Sequence, residues 1–397
     1  MKKSLFALAA LGAFAGAAQA QTNVTLYGVI DAPIEYVNHF AASPPTQNPA
    51  TGQLVQSPNG GSLFRMPSYG GLSTSRWGLR GTEDLGNGLQ AVFVLESGFG
   101  SDDGSLQYAS ASGPRIFGRQ AFVGLQSKDY GKLTLGRQYT SIFWAMANFS
   151  PTFYSTLYEP VVAQLGANYR EDNTVQYTGA FGPVTAVAHY SFGTGLQAVG
   201  ATPTFGGGAG EVPGHAKDNT GYGAGVSYQA AGFGASVAYD QWNPNFAATA
   251  GNAGSAKKAA AALSYTWGPA KVMAGYRWGQ LKAANGGTLA RDDYYWAAVN
   301  YQVNAPISLT LAYYYDDVKI LRTATTTPVV NLPNPWQITF QADYAFSKRT
   351  DVYLATAYAK NGGLNFSASN SSFSNGYFLT QGNDSQVGVA IGIRHKF

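Results

Sequence analysis

Arginine is the residue type whose placement in this chain suggests chemistry. Arg76-Trp-Gly-Leu-Arg80 sets two guanidinium groups four residues apart, with Trp77 and Leu79 between them at alternate positions. Arg119 opens a second apolar-rich stretch, Gln-Ala-Phe-Val-Gly-Leu125. Guanidinium groups stay charged at any working pH, so they attract anions and do not serve as acids or bases. The makings of catalysis are missing. The four histidines, His39, His189, His215 and His395, show no Ser-His-Asp order and no His-Glu-x-x-His spacing. Cysteine is absent, which removes a thiolate metal site, a cysteine nucleophile and a disulfide framework. No cofactor is expected.

The elements that must position these arginines read as β-strands. From Val387, the residues Val387, Val389, Ile391, Ile393, His395 and Phe397 alternate with Gly388, Ala390, Gly392, Arg394 and Lys396. A period of two puts them on opposite faces of a strand. One face is apolar and ends in an aromatic ring; the other is small, polar and basic. The same alternation recurs over 89–96, 221–229, 233–240, 271–278 and 307–316, and less cleanly near 351–359. A soluble sandwich would carry lysine and glutamate on its second face. Here that face is mostly Gly, Ala, Ser, Thr and Gln, which suits the lumen of a membrane barrel. Tyr276–Trp278, Tyr294–Trp296 and Tyr313–Tyr315 are expected in girdles at the membrane interfaces.

Residues 1–20 are expected to be a cleaved signal peptide, and 21–397 the barrel domain. Lys2 and Lys3 precede an apolar run from Leu5 to Ala18, and Ala18-Gln19-Ala20 is a small-x-small cleavage site. Without the two lysines the chain carries 23 basic and 21 acidic residues, a near-neutral balance that does not point to nucleic acid. Beyond this segment no run approaches the roughly 20 apolar residues of a spanning helix, so membrane entry requires a closed barrel. Short Gly-, Pro- and Asn-containing turns near 83–88, 127–131, 181–183, 231–232, 267–270, 304–306 and 347–349 alternate with eight long segments, among them 139–170. Seven turns and eight long loops predict sixteen antiparallel strands, wide enough for an aqueous channel, with the short turns and both termini in the periplasm.

Five stretches, in order along the chain, carry a family resemblance: Val24–Asp31, Ser75–Gly86, Phe117–Leu125, Thr134–Tyr139 and Gly392–Phe397. Together they resemble the general diffusion porins of Gram-negative bacteria, of the β-proteobacterial type. The resemblance implies a homotrimer of barrels in outer-membrane lipid and lipopolysaccharide. It also implies a third loop folded into each pore, passive diffusion of small hydrophilic solutes, and a terminal Phe397 read by the barrel-assembly machinery. It further implies an arginine cluster on the wall at the constriction, with Arg76 and Arg119 at two of its motif positions.

Parity of the residues agrees with that placement. Lipid exposure of Trp77 and Leu79 turns Arg76 and Arg80 inward, since an arginine facing lipid at mid-depth costs roughly 2–4 kcal/mol. An outward Phe122 would turn Arg119 inward, and Gln120 is read as outward and a candidate subunit contact. Arg137, by parity, shares the face of Leu135, so its direction stays open, as does that of Arg170 where the loop rejoins the wall. The loop from Thr140 to Tyr169 departs from the family pattern, because Glu159 is its one carboxylate. It offers instead Phe143, Trp144, Phe149, Phe153, Tyr154 and Tyr158. These rings either pack the loop on the inner wall, or line the opening and favour aromatic or amphipathic solutes. Arginines unopposed by loop acids predict weak anion selectivity. An outer-membrane barrel enzyme is the rival reading.

Overall fold

The computed structural model describes residues 23–48, 54–108, 114–199, 202–204, 210–246, 250–322, 324–367 and 376–397. The expected signal peptide, residues 1–20, lies outside them. The described chain forms one large closed antiparallel sheet, with two small ladders in its long connections, Thr46–Gln47 with Leu54–Val55 and Gln197–Val199 with Thr202–Thr204. β1 is Asn23–Ala41, and β2 comes in two pieces, Gly60–Arg65 and Arg76–Gly86, that lie end to end along β1. Then follow β3 (Leu89–Gly98), β4 (Gln120–Ser127), β5 (Gly131–Tyr139), β6 (Arg170–Phe181), β7 (Val184–Ser191) and β8 (Gly221–Ala230). Next come β9 (Phe233–Trp242), β10 (Ser255–Trp267), β11 (Ala270–Lys282) and β12 (Thr288–Gln302). The last four are β13 (Ile307–Leu321), β14 (Trp336–Ala345), β15 (Thr350–Lys360) and β16 (Ser385–Lys396). With β2 counted once, sixteen strands each pair with their sequence neighbours, and β16 pairs with β1 from Val29↔Lys396 to Val37↔Gly388. Closure leaves no unpaired edge, which the membrane interior demands. Among the described residues no helix is long and apolar enough to cross a membrane.

Local chemistry explains the strand connections. Ala231 and Gly232 both have positive φ, +50° and +81°, the geometry of a two-residue hairpin turn whose twist matches its strands. The seven short turns all lie at one end of the barrel, where β1 begins and β16 finishes. There Phe397 extends the ladder: its N–H donates to Gly28 O at 3.1 Å, and Gly28 N–H donates to Phe397 O at 3.0 Å.

The outer surface is an apolar band, with Leu26, Ile34, Val237 and Ile391 all exposed. Outward rings form a belt across β11–β15: Tyr276–Tyr295 (5.2 Å), Tyr295–Tyr315 (6.2 Å), Tyr313–Trp336 (6.1 Å) and Trp336–Tyr358 (5.5 Å). Tyr294 and Trp296 do not join it. They point inward and are fully buried, because a segment of chain inside the barrel covers them.

That segment is the long connection from β5 to β6. It contains α1 (Ser141–Met146), a 3-10 turn (Ala147–Phe149) and α2 (Val161–Leu165). Ile142, Ala145, Met146 and Phe149 recur at helical spacing and form one buried stripe. The stripe packs on Ala238, Ala260, Ala262, Met273, Trp296 and Ala298 of the inner wall. The small inner face of β8–β13 is therefore docking ground for the loop rather than wetted lumen. At Gly225 of β8 a Cβ would sit 2.6 Å from Ala145 Cβ, so only glycine admits α1 this closely. Burying Ile142, Met146, Phe149 and Leu165 contributes about 1.5–3 kcal/mol each, as an upper bound. The loop is a fixed part of the interior.

Candidate functional site

The inward loop leaves a cavity of about 490 Å³ between its free edge and the wall formed by β2–β6. The loop is anchored at both ends and at its tip. At the tip, Tyr158 O accepts from Gln337 Nε2 (2.7 Å) and Thr339 Oγ1 (2.6 Å), and Leu157 N–H donates to Gly71 O (3.1 Å). Beneath α2, Arg277 pairs with Asp292 at 2.7 Å and donates to Ala163 O. At the root, Ser141 N–H donates to His189 Nδ1 (3.1 Å), so Nδ1 is the acceptor and Nε2 carries the ring proton. Nε2 lies 3.3 Å from Glu171 and 3.8 Å from Asp240. Asn168 bridges the same two carboxylates at 2.9 and 2.7 Å. Ser141 Oγ also touches His189 Nδ1 (2.7 Å), which makes a serine–histidine–carboxylate chain that the linear order hid. Ser141 is fully buried, and its hydroxyl has Gly223 O as a further acceptor at 3.2 Å, so the chain fastens the loop.

Three guanidinium groups line the cavity: Arg76, Arg119 and Arg170. Arg119 Nε donates to Glu96 at 2.7 Å, and its Nη2 donates to Tyr139 Oη at 2.6 Å. Arg170 Nη2 reaches the same Tyr139 oxygen at 3.0 Å, and its guanidinium lies 4.4–4.7 Å from the rings of Tyr108, Tyr139 and Tyr169. Arg76 is looser. Its Nη1 donates to Thr74 O (3.1 Å), and Glu96 is 3.5 Å from its Nε. Among the described lining residues Glu96 is the single carboxylate, so three positive charges face one negative charge, a net of +2.

The predicted loop residues divide. Phe143, Trp144, Phe153 and Tyr154 line the cavity. Phe149 and Tyr158 are fully buried behind it. Glu159 turns into the loop itself, where Ser150 Oγ (2.7 Å) and Thr152 Oγ1 donate to it. Burial pushes its carboxyl above the usual carboxylate range. Arg80 is not among the lining residues; its guanidinium lies over Tyr27, 5.2 Å from the ring centre, nearer the short-turn end. Arg137 is not among them either. It pairs with Asp172 at 2.6 Å, and Arg115 takes the other oxygen of that carboxylate at 2.7 Å.

Two sequence-based directions are corrected. On β4, Val123 and Leu125 point outward, so Phe122 faces the lumen, where Lys132 Nζ lies 5.9 Å from its ring. Gln120 is likewise inward and lines the cavity. Arg119 still reaches the cavity, because strand parity breaks just before β4. The Arg119 N–H donates to Glu96 O at 3.2 Å, while Gln120 is the residue that pairs with Glu96. Glu96 itself was legible: it shares the inward face of β3 with Val92 and sits opposite Gly78, between Arg76 and Arg80. Tyr69, Tyr108 and Tyr169 lie in connections and Tyr139 at the end of β5, and the fold brings them together from far apart in sequence.

Comparison with known proteins matches this architecture. The model of the Gram-negative porin family fits residues 7–364. Outer membrane porin protein 32 of Delftia acidovorans is 32% identical over the full length of both chains. An outer membrane porin protein of Bordetella pertussis is 46% identical over 181 residues, 45% of this chain and 43% of that protein. Among solved structures, an anion-selective porin from Comamonas acidovorans superposes with a TM-score of 0.71 at 26% identity, covering 95% of this chain and 100% of the other. A closed sixteen-strand barrel, apolar outside and narrowed within by a docked loop, is thus matched by full-length likeness to such channels, and the chain belongs to the Gram-negative porin family of outer-membrane diffusion channels.

Proposed function

We propose that this porin prefers anions, and that Arg76, Arg119 and Arg170 set the preference at the constriction. The observation that carries the reading is the lining charge: three guanidinium groups against the one carboxylate of Glu96, with the loop's own Glu159 turned away. A narrow passage walled by low-dielectric protein focuses that field on a passing ion. The anion-selective porin from Comamonas acidovorans, at 26% identity, supports the same direction.

Reversal potentials across a planar bilayer under a KCl gradient test this. Chloride should be favoured over potassium, and Arg76→Ala with Arg119→Ala should widen the passage and weaken the preference. A potassium preference in the wild type would overturn the reading. The same proposal makes the chain one of three barrels in a homotrimer set among lipid and lipopolysaccharide. It is exported on residues 1–20, with Phe397 read by the assembly machinery. It acts as a channel and no enzyme, which the sealed position of Ser141 supports.

A further inference from the structure

The constriction is more aromatic than charge selection requires. Beside its three guanidinium groups, the cavity is lined by eight aromatic side chains. Most are stacked on each other or tied down. Tyr139 and Phe143 stack at 3.8 Å with their planes 13° apart, and Tyr154 Oη donates to Phe143 O at 3.0 Å. Two rings differ. Phe153 is 68% exposed and Trp144 is 44% exposed, both at the cavity. Phe153 and Tyr154 are also consecutive residues in the left-handed backbone region, with φ of +58° and +59°, which bulky side chains rarely adopt. The turn is held there by Tyr154 N–H donating to Ser150 Oγ at 2.8 Å. Strain and a wetted phenyl ring both work against the free loop, and strained bulky residues cluster at ligand sites. A flat apolar solute covering Phe153 and Trp144 would take that exposed ring surface out of water.

The charged half of such a site is also present. Arg119 and Arg170 are enclosed and already bonded to Tyr139. The Arg76 side chain is 26% exposed, against 7% for Arg119, and Glu96 stands off from it at 3.5 Å. Its guanidinium is therefore the one a carboxylate in the cavity can meet with least rearrangement. At about 490 Å³ the cavity falls within the roughly 300–1,000 Å³ of small-molecule sites.

We propose that the constriction binds planar aromatic carboxylates in transit, Arg76 taking the carboxylate and Trp144 and Phe153 taking the ring. This rests on the anion-selective reading above. The test uses the intact wild-type channel in a planar bilayer, with chloride current recorded against added benzoate, cyclohexanecarboxylate, acetate or benzyl alcohol. Benzoate should reduce the current at concentrations about tenfold below acetate, given the worth of a ring contact. Cyclohexanecarboxylate should fall between them, and neutral benzyl alcohol should be far weaker than benzoate. Phe153→Ala should bring the benzoate-to-acetate ratio close to one, and Trp144→Ala is the second variant should the first fail to assemble. A chloride-selective channel that treats benzoate and acetate alike overturns this inference and leaves the anion reading standing. A channel without anion preference overturns both. A ratio that survives both substitutions overturns the ring assignment, and equal block by benzyl alcohol overturns the role of the carboxylate.

Discussion

Replacing Glu96 by Gln interrogates the field at the constriction with little change of shape. The glutamine keeps an oxygen for Arg119 Nε, now 2.7 Å away, and Arg119 keeps its bond to Tyr139 Oη at 2.6 Å. The lining charge rises from +2 to +3. For an ion about 7 Å from the lost carboxylate, Coulomb's law gives about 0.6 kcal/mol at the dielectric of water and about 2.4 kcal/mol at an effective value near 20. At the dielectric of water and before screening by salt, an anion gains that amount and a cation loses it, so the selectivity free energy moves by about 1.2 kcal/mol. That is roughly an eightfold rise in the chloride-to-potassium permeability ratio. The assay is the reversal potential under a KCl gradient centred near 0.1 M, where the screening length is about 10 Å; at 1 M it is about 3 Å and the effect should shrink. The direction runs against intuition, since removing a charged residue sharpens selectivity. A ratio that stays level at 0.1 M, or moves toward potassium, would refute the placement of Glu96 in the ion path.

Three further outcomes follow from the packing of the loop and the closure of the barrel. Gly225→Val puts a Cβ 2.6 Å from Ala145 Cβ, an overpacking worth about 1–3 kcal/mol, so α1 should shift off the β8 wall toward the passage; single-channel conductance should fall, and an unchanged conductance would count against that seating. Burial raises the Glu159 carboxyl above its ordinary 4.5, so the stabilisation tied to its protonated form is full below that value and lost as pH rises through the folded value. Melting temperature should therefore decline over that window in the wild type, and Glu159→Gln should remove that share of the decline; identical pH profiles would exclude Glu159 as its source. Deleting Phe397 removes the paired backbone bonds to Gly28 as well as the terminal ring, so less assembled barrel should reach the outer membrane while pores that form conduct normally. Full assembly of the truncated chain, measured by heat-modifiable mobility, would contradict that role.

The strands were legible because a barrel wall between lipid and lumen imposes a strict period of two, and the Gly- and Pro-containing turns punctuate it. Where the period fails, so does the reading of direction. Parity from an outward Phe122 turns Arg119 inward, yet Phe122 faces inward; the arginine arrives by a break in parity at Glu96 that no local pattern announces. Arg137 is a second case, because the register shifts beside Gly136, whose φ of +129° suits glycine. The loop hides a different periodicity. Ile142, Ala145, Met146 and Phe149 follow helical spacing within a stretch read as irregular, and that stripe decides which rings are buried. Phe143 and Trp144 lie off it and face the passage. The loop aromatics therefore divide by position, Phe149 packing on the wall while Phe143 and Trp144 line the cavity. A helical stripe docks the loop on the small-residue wall, and that docking is what presents the remaining rings to the arginines. Local pattern can yield the stripe and the small wall separately, but their meeting across the lumen is a tertiary fact.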